Sequence, residues 1–140
     1  DKDGYCQSWW TPEDIQVFQL RASRLSNYYS GIIPYPGATG YNGDNVKGEA
    51  IADMGGVKCM LGIAEGIEGF DYELFFTTYA AMWRTKNTYT VESALADNVH
   101  PLNYLRVNAT LQQFEKFYET FSIKPGDGMY LALDNRVAVW

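Results

Sequence analysis

The strongest constraint on the fold is an apolar stripe of helical period near the start of the chain. Ile15, Phe18, Ala22, Leu25 and Tyr29 recur at spacings of three and four, which lines one face of a helix and matches no face of a strand. The stripe follows Thr11-Pro12-Glu13-Asp14: a residue that can cap, a proline suited to a first turn, and two acids that complement the positive end of the helix dipole. This helix is expected to end near Ser30-Gly31. Prolines, glycines and asparagines then make residues 32–47 an irregular loop, long enough to suggest a function. A second helix is expected from about Gly48 to Ile63 or Glu65, with Ile51, Met54, Val57, Met60 and Leu61 inward. Gly55 and Gly56 within it cost up to about 1 kcal/mol each relative to alanine, which predicts that another backbone or a site packs closely there. A third helix is expected over about Asp71 to Lys86, with Leu74, Phe75, Ala81, Met82 and Trp83 mostly buried, and a short one over 90–97. Val107, Leu111, Phe114, Tyr118 and Phe121 extend the helical period, with a break expected near Thr110. The fold class is therefore mainly α, with short extended pieces at both ends.

Bulk properties narrow the possible functions. One hundred and forty residues suit a single domain, 1–140, with one sizeable core. A 46% hydrophobic and 16% aromatic composition is that of a folded body, not of a disordered chain. The net charge of −6 and the lack of a Lys/Arg cluster argue against nucleic acid as a partner. No apolar run approaches the length of about 18 residues that a spanning helix needs, so no membrane segment is expected. The two cysteines, Cys6 and Cys59, are too few for a disulfide framework; a single bridge and two reduced, partly buried thiols are both compatible with the sequence.

The chemistry is concentrated in Gly48-Glu49-Ala50-Ile51-Ala52-Asp53. Glu49 and Asp53, four positions apart, share one helical face. One carboxylate of such a pair can bind a metal while the other, one turn along, orients a neighbouring ligand. A zinc hydrolase draws about three ligands from the protein, and this chain has a single histidine, His100, and no His-Glu-x-x-His. The pattern is part of a catalytic site, not a whole one. Each residue taken alone also fits a plainer role: solvated helix acids, a surface or capping histidine beside Pro101, a solvated arginine at Arg106. No Cys–His or Ser–His arrangement and no phosphate loop offers a second complete site, Gly40-Tyr41-Asn42-Gly43 being too sparse.

Gly48-Glu49-Ala50-Ile51-Ala52-Asp53-Met54-Gly55-Gly56 resembles the Gly-Glu-Asn-Ile-Ala-Asp-x-Gly-Gly signature of the neprilysin and endothelin-converting-enzyme family of zinc metallopeptidases. Further landmarks follow in that family's order: Asp3-Gly4 with Trp9-Trp10-Thr11, Phe75-Phe76 through Ala81 to Trp83, His100-Pro101 to Arg106, Thr110-Leu111-Gln112, Phe117 with Phe121, and the closing Val139-Trp140. The chain departs from the pattern at Ala50, at Val46-Lys47, and at Asn98, where the family often has aspartate. Arg84, Ser122 and Ala138 stand near places where animal ectodomains carry cysteines, so the chain looks more like a bacterial member.

The resemblance implies the helical carboxy-terminal part of a thermolysin-like (zincin) catalytic domain of the gluzincin type. It implies that the chain begins just after the His-Glu-x-x-His helix and runs to the natural carboxy terminus. Glu49 would be the third zinc ligand. Asp53 would accept a hydrogen bond from a zinc-bound imidazole, His100 would stabilise the oxyanion, and Arg106 would bind a backbone carbonyl of the peptide substrate. The parent would be a zinc endopeptidase acting on oligopeptides, with one zinc per chain. This segment alone would be inactive and free of zinc, with the upstream catalytic segment as its partner and with self-association through the uncovered face as a further expectation. For a bacterial member, cytoplasmic and secreted or cell-envelope locations both remain open. The rival reading is a non-catalytic helical binding or scaffold domain descended from such a peptidase.

Overall fold

The computed structural model describes residues 1–38 and 40–140; the loop expected over 32–47 includes residue 39, which lies outside them. The helices are α1 (Pro12–Ser30), α2 (Gly43–Ala64), α3 (Tyr72–Met82), α4 (Tyr89–Leu95), α5 (Asn103–Leu111) and α6 (Glu115–Phe121), followed by a 3₁₀ turn at Leu133–Asn135. Among the described residues no strand forms, and the terminal pieces run as turns and irregular backbone. No helix among them is long and apolar enough to cross a membrane.

Local chemistry accounts for the helix starts. Thr11 and Asp14 form a reciprocal capping box on α1, with Asp14 N–H donating to Thr11 Oγ1 at 3.1 Å and Thr11 N–H to the Asp14 carboxylate at 3.4 Å. Asp71 caps α3 by accepting from Leu74 N–H at 2.8 Å, and Thr88 caps α4 through Val91 N–H. The expected break near Thr110 falls at residues 112–114, between α5 and α6.

Helix α2 starts at Gly43, not near Gly48. Asn42 supplies the cap, its side-chain oxygen accepting from Asn45 N–H at 3.1 Å, and Asp44 occupies the first turn. This start is set by packing on α1. A Cβ at residue 43 would lie 1.9 Å from the Ser26 carbonyl oxygen, so only glycine lets the two backbones approach this closely. Gly43 N–H donates to Ser30 Oγ, and Ser26 Oγ donates to Asp44 at 2.9 Å. The close approach expected at Gly55 is also present: the indole nitrogen of Trp140 sits 3.1 Å from where a Cβ would be. Gly56 meets nothing and opens onto a groove.

The core has two parts. Leu25, Tyr29, Val46, Ala50, Met54, Leu105 and Ala109 join α1, α2 and α5, with Val137 and Val139 closing over them. Val57, Leu61, Phe76, Leu111, Phe117 and Tyr118 join the far half of α2 to α3 and α6. A ladder of rings ties the two ends of the chain together, with centroids 5.3 Å apart for Trp9–Trp10, 5.0 Å for Trp10–Phe18 and 5.7 Å for Phe18–Trp140.

Several buried-face expectations are corrected. Met60, Leu74 and Met82 are 46%, 62% and 66% exposed, and Ala81 is exposed as well. Met60, Leu74 and Met82 carry the apolar period, but nothing among the described residues covers the face they form. Helix α3 also ends at Met82, short of Lys86, with Trp83 as its C-cap. Cys6 and Cys59 are both free, and both are exposed, not partly buried.

Candidate metal and substrate site

Helix α2 presents Glu49 and Asp53 one turn apart, and the two meet different surroundings. Asp53 is held by Arg106 from α5 in a two-pronged pair, with Nε–H to Oδ2 at 2.7 Å and Nη2–H to Oδ1 at 2.6 Å. Their side chains are only 10% and 14% exposed. Such a fork is the geometry in which a guanidinium binds a carboxylate best. Trp83 lies against the guanidinium, whose carbon is 3.9 Å from the ring centroid. Tyr79 O–H donates to the Arg106 carbonyl at 3.1 Å. The hydrogen bonds that Arg106 donates to Asp53 hold its pKa above the ordinary value, against the opposing effect of desolvation. Burial, with the Asp53 charge adding to it, pushes the Tyr79 hydroxyl up to about 12.

Glu49 remains half exposed, and its Oε2 lies 3.4 Å from Nε2 of His100. His100 sits in the turn between α4 and α5. Its backbone N–H donates to Asn98 Oδ1 at 2.9 Å, and its ring Nδ1 lies 2.9 Å from the same oxygen. Asn98, noted in the sequence only as a departure from a pattern, is therefore the residue against which the ring rests. The structure brings all four sequence-predicted residues together along the first half of α2, as two neighbouring pairs: Glu49 with His100, and Asp53 with Arg106. Sequence reasoning missed the contribution of Trp83 to this cluster; only its place in the Phe-Phe…Trp segment had drawn notice.

Beside Asp53, between α2 and α3, runs an apolar groove of about 670 Å³. Gly56, Met60, Leu74, Met82 and Trp83 line it.

These donors fit a share of a zinc site. A carboxylate that faces solvent with an oxygen to spare is a suitable zinc ligand, and only Glu49 of the helical pair is in that condition. Asp53 has both oxygens engaged by Arg106, which suits it to orient a ligand and not to be one. Among the described residues no three His, Cys, Asp or Glu side chains converge to hold an ion, so the remaining ligands of a tetrahedral site must come from elsewhere.

Comparison with known proteins places this chain in a family. The chain is 33% identical over 141 aligned residues to the neutral endopeptidase of Lactococcus lactis subsp. lactis (strain IL1403), covering 100% of this chain and 22% of that protein. Against neprilysin-3 of Drosophila melanogaster it is 29% identical over 144 residues, 92% of this chain and 18% of that one. Its fold superposes on PepO from Lactobacillus rhamnosis HN001 with a TM-score of 0.82 and 30% identity, over 98% of this chain and 22% of the other. The zinc metalloprotease Zmp1 of Mycobacterium tuberculosis, in complex with an inhibitor, gives 0.81 and 28%, over 99% and 23% of the two chains. The chain thus spans about a fifth of the length of the relatives it matches. The helical architecture is that of the corresponding part of those peptidases. The family model described as "Peptidase family M13" matches residues 1–137, and the chain belongs to that family.

Proposed function

We propose that this chain is the carboxy-terminal segment of a zinc-dependent endopeptidase that cleaves oligopeptides. In this reading the segment supplies the third metal ligand and the groups that hold substrate. The observation that carries the reading is the unequal treatment of two carboxylates one turn apart: Glu49 is free toward solvent beside His100, while Asp53 is locked by Arg106. A solvated helix face gives no reason for a nearly buried, two-pronged partner on one acid and a lone histidine on the other.

Each residue then has a task. Glu49 holds the metal through its outward carboxylate. Asp53 accepts a hydrogen bond from the imidazole of a metal-bound histidine of the upstream segment; each of its oxygens has a second lone pair beyond the one used by Arg106. Arg106 spends Nε and Nη2 on Asp53 and keeps Nη1 for the backbone carbonyl of the peptide. With both ring nitrogens carrying a proton, His100 rests Nδ1–H on Asn98 and donates from Nε2 to the oxyanion formed when the scissile carbonyl is attacked. Zinc, when bound, polarises the carbonyl and lowers the pKa of its bound water. Without the upstream segment the chain is catalytically silent, because one carboxylate does not hold catalytic zinc. In the parent the upstream segment covers the apolar groove. In the isolated chain a second copy covers it, and light scattering from a clean monomer would count against that.

The deciding measurement is zinc stoichiometry of the parent polypeptide, wild type against Glu49→Ala. About one zinc per chain, lost in the variant, supports the assignment. No zinc in either, or equal zinc in both, removes it and favours a non-catalytic binding domain that uses the exposed groove.

A further inference from the structure

Asn45 stands one turn before Glu49 on α2 and reaches across to the turn that carries His100. Its Nδ2 lies 3.0 Å from the carbonyl oxygen of Asp97 and 3.0 Å from that of Asn98. Both amide hydrogens are thus spent on two successive carbonyls. On the other side of His100, the hydroxyl of buried Tyr41 accepts from Leu102 N–H at 3.1 Å. Residues 96–102 belong to no helix, and these bonds pin them on both flanks to the start of α2. Within the pinned turn Asn98 Oδ1 meets both the backbone N–H and the ring Nδ1 of His100. The ring is left with Nε2 facing Glu49. The contacts close a circuit: Asn45 to the turn, the turn to Asn98, Asn98 to the imidazole, the imidazole to Glu49, and back along one turn of the helix.

We propose that Asn45 is a positioning residue, which fixes where His100 stands relative to Glu49. The proposal rests on the catalytic role given above to His100. The physical case is that His100 has little packing of its own. Its side chain is 53% exposed, so its rotamer and height are set by the backbone of the turn. A misplacement on the order of 1 Å in such a group can cost as much as 10²-fold in rate. A side-chain amide suits the task because it offers two donors in one plane to two adjacent carbonyls. An aspartate of the same size offers none, and would set a carboxylate against both oxygens.

The test is steady-state kinetics and zinc content of the full parent polypeptide carrying Asn45→Ala, Asn45→Asp, His100→Ala, and Asn45→Ala with His100→Ala. Alanine is the better helix former at position 45, so α2 is retained; circular dichroism checks this. Asn45→Ala and Asn45→Asp are each expected to lower kcat roughly tenfold, as removal of an outer partner typically does, with zinc content and KM unchanged. The double variant is expected to be no worse than His100→Ala alone, because Asn45 acts through His100. Wild-type kcat in either Asn45 variant, beside a defective His100→Ala, overturns the positioning role. So does a loss that adds to that of His100→Ala or comes with loss of zinc. A His100→Ala enzyme with unchanged kcat overturns the catalytic assignment of His100 itself, and that outcome is read without any change at position 45.

Discussion

Replacing Arg106 by methionine keeps an unbranched stem against Trp83 and removes only the charge and its donors. In the native chain the guanidinium sits 2.6–2.7 Å from both oxygens of Asp53, and both side chains are at most 14% exposed. Two unit charges about 4 Å apart attract by about 4 kcal/mol at an effective dielectric of 20. Much of that gain only offsets the desolvation of the pair. Deleting one partner leaves the desolvation cost of the other unopposed, and the expected loss for Arg106→Met is about 3–5 kcal/mol. That is a large part of the roughly 5–15 kcal/mol by which a domain is stable. Asp53→Ala is expected to cost less, because the long arginine can swing its charge toward water. The double variant, Asp53→Ala with Arg106→Met, buries no lone charge, so its loss is expected to fall short of the summed single losses by about 2 kcal/mol. Urea denaturation of the four proteins at neutral pH, followed by circular dichroism, measures this coupling. A coupling below about 0.5 kcal/mol, the level of an exposed pair, would refute the reasoning and mean that solvent reaches the fork.

The glycines of α2 should divide by what stands next to them. Gly43→Ala is expected to destabilise the chain although alanine is the better helix former, because its Cβ would meet the Ser26 carbonyl at 1.9 Å. Gly48→Ala meets nothing within 4 Å and is expected to be neutral or to stabilise by up to about 1 kcal/mol; equal melting shifts for the two would contradict the close α1–α2 contact. Burial raises the hydroxyls of Tyr28 and Tyr79 from 10.0 to about 12. Their contribution to stability is complete below pH 10 and is lost between pH 10 and 12, where the unfolded chain releases protons that the folded chain keeps. Urea midpoints that stay level from pH 9 to 12, or native tyrosinate absorbance that is complete by about pH 11 for every tyrosine, would exclude this. Phe76 is 1% exposed and packs edge-on to Phe117 at 5.4 Å. Phe76→Ala is expected to cost about 3–5 kcal/mol, and a loss below 1 kcal/mol in urea denaturation would show that the second core is loosely packed.

Short-range physics was legible in the chain. Helix α1 could be placed from its capping threonine, its proline and a stripe of period 3.6, because those signals act within a few residues. The carboxylate pair was legible for the same reason, since i and i+4 fall on one face whatever else the chain does. So was the break after α5. The start of α2 was not, because Gly43 is a helical residue on account of Ser26 in another helix, and glycine, asparagine and aspartate read as a loop when seen alone. Burial at Leu74 and Met82 was misjudged because periodicity identifies an apolar face without saying whether anything covers it. The resemblance assigned Glu49 and Asp53 different roles, but the contacts that separate them could not be read from spacing or periodicity. Arg106 lies 53 positions from Asp53, and Asn45 lies 52 and 53 positions from the carbonyls it holds. Which side chains meet over such separations depends on how α1, α2 and α5 pack around Leu25, Tyr29 and Ala50. Sequence determined that α2 offers two carboxylates on one face. Only the tertiary structure decided that one is locked by an arginine and the other faces a pinned histidine, because a partner across the fold is chosen by packing and not by local propensity.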